Sequence, residues 1–531
     1  MDPRASWSFV VVLLLSAACA AAFAEPVVAR VTYISGSSIY IAAGAEDGLA
    51  AGDSGEVVRG ETLIAELRVT EASAKRSVCR LSAGDAVVEV GDTVRFAAKA
   101  AAPEGAAAAS AASAAEPEPT ASSGTGRSRE SGLHGRIGAR YLAVKERGEE
   151  SRGYRQPALD FFLLGAQVYG APIDVAIDLR ARRTYRDLSG GRSEDESRNR
   201  LYRAAVAWRR PGEPLSVTLG RQFSPSLGVV SVFDGVLVEH RREGWGGGLF
   251  AGSQPDPEDY GFSGDIREYG GFVEWNNRTG AARRWSIGTG LVGSYENSEI
   301  NREFGFVQAR YDDRKLSAFF SGEVDVNRGW RDTAAGESLT FTNSFTTVRY
   351  RFSDAFSLNA GYDDRRNPRL YRDYITPETE FDDRHRQGLW AGADGRVGAH
   401  FSWGLSGRRS TYDEGGDSSS YTILLGAHRL TAWGLGVRAR STSYTNDFVE
   451  GWMHSLSVDA DLSSWSHLEI HGGVRDETIV DPTVLDDKLT WYGVEWDVVL
   501  KRSWLFGLSY EQSQHEYEGS DQLYAFLTYR F

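Results

Sequence analysis

Residues 173–182 read Ile-Asp-Val-Ala-Ile-Asp-Leu-Arg-Ala-Arg. Ile173, Val175, Ile177, Leu179 and Ala181 fall on one parity, while Asp174, Asp178, Arg180 and Arg182 fall on the other. Side chains of an extended chain point alternately to two faces, so a period of two describes a strand with one apolar and one charged surface. The pattern recurs along the chain. Leu316, Ala318, Phe320, Val324 and Val326 oppose Glu323 and Asp325. Trp433, Leu435, Val437 and Ala439 oppose Arg438 and Arg440, and Trp452, Leu456, Val458, Ala460 and Leu462 oppose Asp459 and Asp461.

The links between these runs carry the topology. Short links (Tyr169 to Pro172, Arg310 to Lys315, Arg351 to Ala355, Arg396 to His400, His428 to Ala432, Lys501-Arg502) fall at every second junction. Longer polar links (Glu146 to Gln156, Arg186 to Ser197, Ser253 to Asp265, Asn327 to Ser338, Asp364 to Arg384, Glu477 to Asp487) occupy most of the others. Short and long connections alternating around an even number of strands describe an antiparallel transmembrane β-barrel. The expectation is an all-β chain with about 18–22 barrel strands in residues 134–531, softest between Gly220 and Gly252, where Ser224-Pro225 interrupts a run. The stretch Ser224 to Ser231 lacks alternation and is a candidate to fold inward as a constriction loop.

The direction of the charged face follows from solvation. An Arg or Lys facing lipid at the midplane costs about 2–4 kcal/mol, and dozens would overwhelm any fold. The charged parity must therefore line the interior. The pore-lining candidates are Asp174, Asp178, Arg180, Arg182, Glu323, Asp325, Arg349, Arg351, Asp394, Arg396, Arg438, Arg440, Asp459 and Asp461, with Glu268, Glu274, Arg310, Glu495 and Asp497 on the same parity. Glu323 and Asp325 precede Arg349 and Arg351, and Arg438 and Arg440 precede Asp459 and Asp461, so complementary charge is expected on neighbouring strands. Tyr169, Trp208, Trp275, Trp285, Tyr350, Trp403, Trp433, Trp452, Tyr510 and Tyr529 stand near strand ends, where amphipathic rings prefer the headgroup zone.

The chain ends Leu523-Tyr-Ala-Phe-Leu-Thr-Tyr-Arg-Phe531, with Leu523, Ala525, Leu527, Tyr529 and Phe531 on one parity. A final strand ending on Phe resembles the signal read by the outer-membrane barrel-assembly machinery, here carried by Leu527, Tyr529 and Phe531. With the alternating repeats, the chain resembles Gram-negative outer-membrane β-barrels of the porin type over about three quarters of its length. That resemblance implies an outer-membrane location, contact with outer-membrane lipid and lipopolysaccharide, and recognition by the assembly machinery.

Residues 1–24 read as a secretory signal: Arg4, an apolar run from Phe9 to Ala18, then Ala22 and Ala24 at the positions required for cleavage before Glu25. Cys19 falls within it, which leaves Cys79 as the one cysteine after cleavage, expected as a buried apolar residue in Ser77–Leu81. Residues 25–97 contain five or six short runs separated by Gly-Asp turns at Gly52-Asp53 and Gly91-Asp92, the size of a small closed β-barrel. These turns resemble small SH3-like periplasmic modules such as that of flagellar assembly protein T, implying a docking role toward a periplasmic protein or peptidoglycan. Residues 98–133 are nearly all Ala, Ser, Pro, Glu, Thr and Gly, a composition that cannot repay the entropy of folding and reads as a linker.

Composition removes several classes. Of 531 residues, 41% are apolar and mean hydropathy is −0.36. Beyond the leader there is no apolar run long enough for a membrane helix. A net charge of −14 argues against nucleic acid, which demands a basic face. There is no HExxH, P-loop, GxSxG or CxxC, so no cofactor, metal or catalytic residue is expected. Asp363-Asp364, Asp382-Asp383 and His385 border one long loop, and a solvated acidic loop is the simpler account of them. Two functions fit: a passive channel for small hydrophilic solutes, or a structural barrel anchoring a docking module.

Overall fold

Sequence alternation becomes two closed sheets in the computed structural model. It describes residues 27–96 apart from 36–37, 44–48, 50–52, 60–61, 73–76, 84–87 and 89–91, and residues 132–531 apart from 149–151, 188–191, 278–282, 376–384, 414–415, 480–486, 502 and 516–517. The signal assignment, residues 98–131 of the linker, and Asp382 and Asp383 lie outside the described residues, while Gly132 and Leu133, read as the end of the linker, belong to the first strand of the second unit.

The N-terminal unit has six strands: β1 (Val27–Ser35), β2 (Ser38–Ile41), β3 (Ser54–Arg59), β4 (Thr62–Ala72), β5 (Ser77–Ala83) and β6 (Thr93–Phe96). They close in the order β1-β2-β5-β4-β3-β6. Closure leaves no free edge on so short a sheet. The centre is filled by Val31, Ile41, Val57, Leu67, Val69, Val94 and Phe96, with Cys79 fully buried among them. Arg59 clasps Asp92 through two hydrogen bonds of 2.8 and 2.9 Å.

The second unit is a closed antiparallel barrel of 22 strands, the upper end of the range read from the sequence. It begins at β7 (Gly132–Arg147), β8 (Gly153–Ala166), β9 (Ile173–Asp187) and β10 (Ser193–Arg209). The wall continues through β11 (Leu215–Gln222), β12 (Phe233–Arg242), β13 (Trp245–Ser253), β14 (Ile266–Asn276), β15 (Arg284–Glu296) and β16 (Glu299–Asp312). Then come β17 (Leu316–Val326), β18 (Leu339–Ser353), β19 (Phe356–Arg365), β20 (Arg386–Val397), β21 (Phe401–Tyr412) and β22 (Asp417–Ala427). The last are β23 (Gly436–Thr445), β24 (Val449–Ser463), β25 (Ser466–Ile479), β26 (Asp487–Leu500), β27 (Trp504–Gln514) and β28 (Gly519–Arg530). β28 pairs with β7 from Gly519↔Arg147 to Arg530↔Arg136, which closes the ring. The interrupted stretch near Ser224 separates two short strands, β11 and β12.

One end of the barrel carries mostly tight turns and the other the longest connections (223–232, 254–265, 327–338 and 366–385), although links such as β15–β16, β21–β22, β23–β24 and β27–β28 are short on the long-loop side and β14–β15 and β22–β23 are long on the tight-turn side. The outer face is apolar: Leu159, Leu219, Leu249, Leu291, Leu389 and Ile470 are all more than half exposed. Such a surface is stable only in hydrocarbon. Near the tight turns aromatic residues face outward in opposed pairs, Trp245↔Trp275, Trp285↔Tyr311 and Trp504↔Tyr529. These rings mark a headgroup boundary. The chain is a transmembrane β-barrel of the outer-membrane type.

Candidate functional site: the inner wall

Every charged position read from the sequence on β9, β17, β18, β23 and β24 sits on the parity opposite the exposed apolar residues, the inner face. Asp394 joins them on β20 through Ser357↔Asp394, and Arg396 lies at that strand's short-turn end. The inner face is divided into unlike sectors.

On β12–β16 it is apolar, which alternation did not announce. Leu237, Phe250, Phe272, Val292, Phe304 and Phe306 form a buried platform on the inner face. The rings lie flat because glycines stand beside them. A Cβ on Gly270 would come within 2.6 Å of the Phe250 ring, one on Gly248 within 2.8 Å of Phe272, and one on Gly290 within 2.6 Å of Phe306. Residues 223–232, the interrupted stretch, turn into the barrel and seat Leu227 and Val230 on this platform, next to Phe233 at the start of β12. A short 3-10 turn at Pro225–Leu227, capped by the Ser224 side chain, shapes the strap. Its tip is held where the wall becomes polar again: Ser226 Oγ donates to Glu274 at 3.0 Å, and Arg241 donates to Ser226 Oγ at 2.9 Å and to Glu239 at 2.7 Å.

On β16–β18 the wall and two loops converge on Asp325, which is fully buried. Arg302 reaches it at 2.7 Å and also meets Glu323 at 2.8 Å. Thr342 donates to Asp325 at 2.8 Å. From the β17–β18 loop, the short helix Trp330–Ala335 supplies Arg331, whose guanidinium lies 2.7 Å from Asp325 and donates to the Arg369 carbonyl at 2.5 Å. Burial pulls the Arg331 proton affinity below its usual value, and the Asp325 charge opposes that pull. Trp330 stacks on Tyr374 of the helix Tyr371–Ile375, with centroids 4.8 Å apart. One carboxylate thus ties two long-side loops to the wall.

The ion pairs differ from those the sequence order suggested. Glu323 and Asp325 pair with Arg302 and Arg331 rather than with Arg349 and Arg351. The bulge at Glu323/Val324 and the register set Glu323 opposite Asn343, far along β18 from Arg349. Arg349 instead meets Asp394 at 3.0 Å, with Ser357 donating to the same oxygen at 2.8 Å. On β23, Arg438 and Arg440 lie opposite Ser457 and Ser455 and Asp459 lies opposite Gly436, which keeps Arg438 and Asp459 diagonal neighbours on adjacent strands as the sequence order suggested.

Two sectors concentrate charge of one sign. Across β7–β10 three consecutive inner rows read Arg140, Ala158, Arg182, Arg198; then Gly138, Asp160, Arg180, Arg200; then Arg136, Phe162, Asp178, Arg203. Arg136 and Arg140 were not among the residues read from the sequence, although the alternation of β7 carries the signal that would have found them. Arg203 was hidden, because a bulge between Leu201 and Arg203 shifts the parity of β10. Across β24–β26, Asp459, Glu469 and Glu495 form a row of carboxylates, and Asp461, His467 and Asp497 form the next. His467 lies 2.9 Å from Asp461, and His471 lies 3.2 Å from Glu511.

At the long-loop rim His385 stands 2.5 Å from Asp364 and 3.4 Å from Asp413, and Tyr362 donates to Asp364 at 2.9 Å. Asp363 pairs separately with Arg408 at 2.8 Å. His385, Asp364 and Asp413 thus make an acid-base cluster at the rim. Among the described residues no group of His, Cys, Asp and Glu has the geometry to hold a metal ion.

No protein-family profile matches this sequence, and no curated protein matches it. Similar solved structures exist. The P pilus usher (PapC) translocation pore matches at 11% identity over 75% of this chain and 99% of its own, with a TM-score of 0.43. Pseudomonas aeruginosa OccK7 (OpdD) matches at 11% identity over 75% and 99%, with a TM-score of 0.41. Acinetobacter baumannii OccAB2 matches at 8% identity over 75% and 98%, with a TM-score of 0.38.

Proposed function

We propose that the chain is a porin-like channel of the bacterial outer membrane that passes small hydrophilic solutes by diffusion through a charged lumen. The observation that carries this reading is the hydration of the β7–β10 sector. The side chains of Arg136, Arg140, Arg180 and Arg198 keep 22%, 30%, 31% and 45% exposure although they face the interior. A lumen filled at that level would cover them. Water is the partner that guanidinium groups require when protein does not supply one. In this reading the strap seated on β12–β16 and the loops held at Asp325 occupy part of the lumen, and the charged sectors line the rest.

The decisive experiment is single-channel recording in planar bilayers with the refolded barrel protein. Discrete conductance steps are expected. Silence across preparations that are folded by heat-modifiable gel migration would overturn the channel reading.

A second reading rests on the six-strand module, which has a closed sheet and a separate core. It would serve as a periplasmic docking unit for an envelope protein or peptidoglycan, with the barrel as anchor. Sedimentation of the mature protein with purified peptidoglycan sacculi tests the latter partner, and failure to co-sediment would remove it.

A further inference from the structure

We propose that the open edge of β10 at the long-loop rim, residues 193–199, is a docking strand that pairs antiparallel with the same segment of a second copy of this chain, set in a facing membrane. The inference goes beyond the channel reading and does not depend on it.

The edge follows from unequal strand lengths. β10 has 17 residues and its neighbour β11 has 8. β9 pairs with β10 from Ser193 to Trp208, but β11 pairs with it only from Ala204 to Arg209. Residues 193–203 therefore have a neighbouring strand on one side alone. Arg221 donates to the Leu201 carbonyl at 2.8 Å and closes the lower end of the gap. Backbone groups of an antiparallel strand point alternately to its two sides, so Ser193, Asp195, Ser197 and Asn199 turn theirs to the open side together with Leu201. The bulge of β10 lies below Leu201 and leaves this alternation intact. Residues 193–199 are exposed apart from the half-buried Glu196. Arg183 and Asp195 form an ion pair on the outward parity here. Charge on that parity places this part of the wall beyond the hydrocarbon.

The side chains name the occupant. On the inner parity the segment reads Glu194, Glu196, Arg198, Arg200, acids first and bases after. A second copy turned antiparallel about Ser197 sets Glu194 opposite Arg200 and Glu196 opposite Arg198, and the reverse in the other half. These positions have no backbone hydrogen bonds between them, so their side chains stand closest, and opposite charges there are stabilising. A parallel copy in the same register would meet acid with acid and base with base. An edge protected against association carries charge that repels every copy. This one repels itself in one direction and matches itself in the other. On its closed side Arg198 lies opposite Arg182 and Arg200 opposite Arg180, a like-charge cost. Carboxylates of the second copy offset that cost from the open side.

Symmetry fixes how the two copies stand. The two-fold axis that makes a strand antiparallel to its own copy is perpendicular to the sheet, which here is a radius of the barrel. It reverses the membrane normal and keeps inner face beside inner face. The two barrels therefore meet mouth to mouth on one axis, from two facing membranes, and neighbours within one membrane cannot form this pair. The rim has the matching outline. β8, β9 and β10 have 14, 15 and 17 residues, whereas β11, β12 and β13 on the other side of the edge have 8, 10 and 9. The tall strands of each copy rise into the low stretch of the other. One strand pair is marginal alone, so the contact gains its strength from many copies acting together on each membrane.

The test uses the mature full chain in phosphatidylcholine vesicles, folded by heat-modifiable migration and with the long-loop end shown to face outward by protease access. Two vesicle populations carry donor and acceptor dyes. Energy transfer between the populations is expected for the wild-type chain and not for protein-free vesicles. The variants E194R/E196R and R198E/R200E should each lower it by about fivefold, because each brings like charges together across the pair. Mixing vesicles of one variant with vesicles of the other restores opposite charge at every position, and transfer should recover. That recovery also shows that both variants fold. Wild-type vesicles that stay dispersed, a variant that clusters as the wild type does, or mixed vesicles that fail to recover would overturn the inference. Each of these results leaves the channel reading intact, since single-channel recording tests it separately.

Discussion

Gly135 and Phe531 exchange two backbone hydrogen bonds, of 2.9 and 3.1 Å, so the last residue of the chain is stitched into the seam that closes the barrel. The same glycine gives the ring its place: a Cβ there would lie 2.8 Å from the Phe531 ring and 2.4 Å from the Phe162 carbonyl. We expect Gly135→Val to reduce the heat-modifiable, folded fraction several-fold when the chain is refolded into detergent or lipid. Phe531→Ala keeps the backbone bonds and should cost less in refolding in vitro. A larger loss for Phe531→Ala in cells than in vitro would point to Phe531 as part of the assembly signal.

Asp325 accepts from Arg302, Arg331 and Thr342 with no exposure to water. Removing the carboxylate leaves two guanidinium groups near one another without their common partner. Asp325→Ala is expected to destabilise the loop clamp by about 3–5 kcal/mol, the usual penalty for breaking a buried pair. Limited proteolysis of the β17–β18 loop is the sensitive measurement, and cleavage should accelerate strongly in the variant.

The strap holds its place through Leu227, which is fully buried on the phenylalanine platform. Leu227→Ala should weaken that seating by about 2–5 kcal/mol. In single-channel records the expected consequence is larger or noisier conductance. Unchanged records would mean that the strap does not border the conducting path.

Cys79 lies at the centre of the six-strand module, and burial pushes its thiol up to about 12. The reactive thiolate is therefore scarce at neutral pH, since burial holds the thiol well above the range of an exposed cysteine. Iodoacetamide at pH 8 should leave the folded protein unmodified and label it rapidly in denaturant. The labelling rate then reports unfolding of the module independently of the barrel.

Glu469 sits between Asp459 and Glu495 in one cross-strand row. Neutralising the middle member relieves two like-charge contacts, so Glu469→Gln should stabilise the barrel by up to about 1 kcal/mol. A raised urea midpoint at pH 7.5 relative to the wild-type chain is the expected pattern.

Much of this architecture was legible in the sequence because lipid and water impose opposite demands on alternate residues. Ile173 to Arg182 alone specifies a strand, its two environments and its face assignments. Legibility fails where it depends on register. The Glu323 and Asp325 partners depend on a bulge on β17 and on Arg331 arriving from a loop. The parity change before Arg203 comes from another bulge, and nothing in residues 198–203 marks it. The platform was hidden for a different reason: alternation alone does not tell an apolar residue facing inward from one facing lipid, and the glycines opposite Phe250, Phe272 and Phe306 are known only from the strand pairing. The strap was marked only by the loss of alternation between Ser224 and Ser231.

The flat rings of β13–β16 also act on the reading frame of the sheet. A two-residue slip preserves which side chains face inward and outward, so solvation alone does not forbid it. Phe250 is paired with Gly270 and Phe272 with Gly290. Sliding β14 by two residues against β13 would bring Phe250 onto Phe272 or Glu268, where a ring meets a ring or a charge instead of a vacancy. The glycine-phenylalanine matches thus work as a proofreading step during closure, accepting one frame among those that hydrophobicity would tolerate.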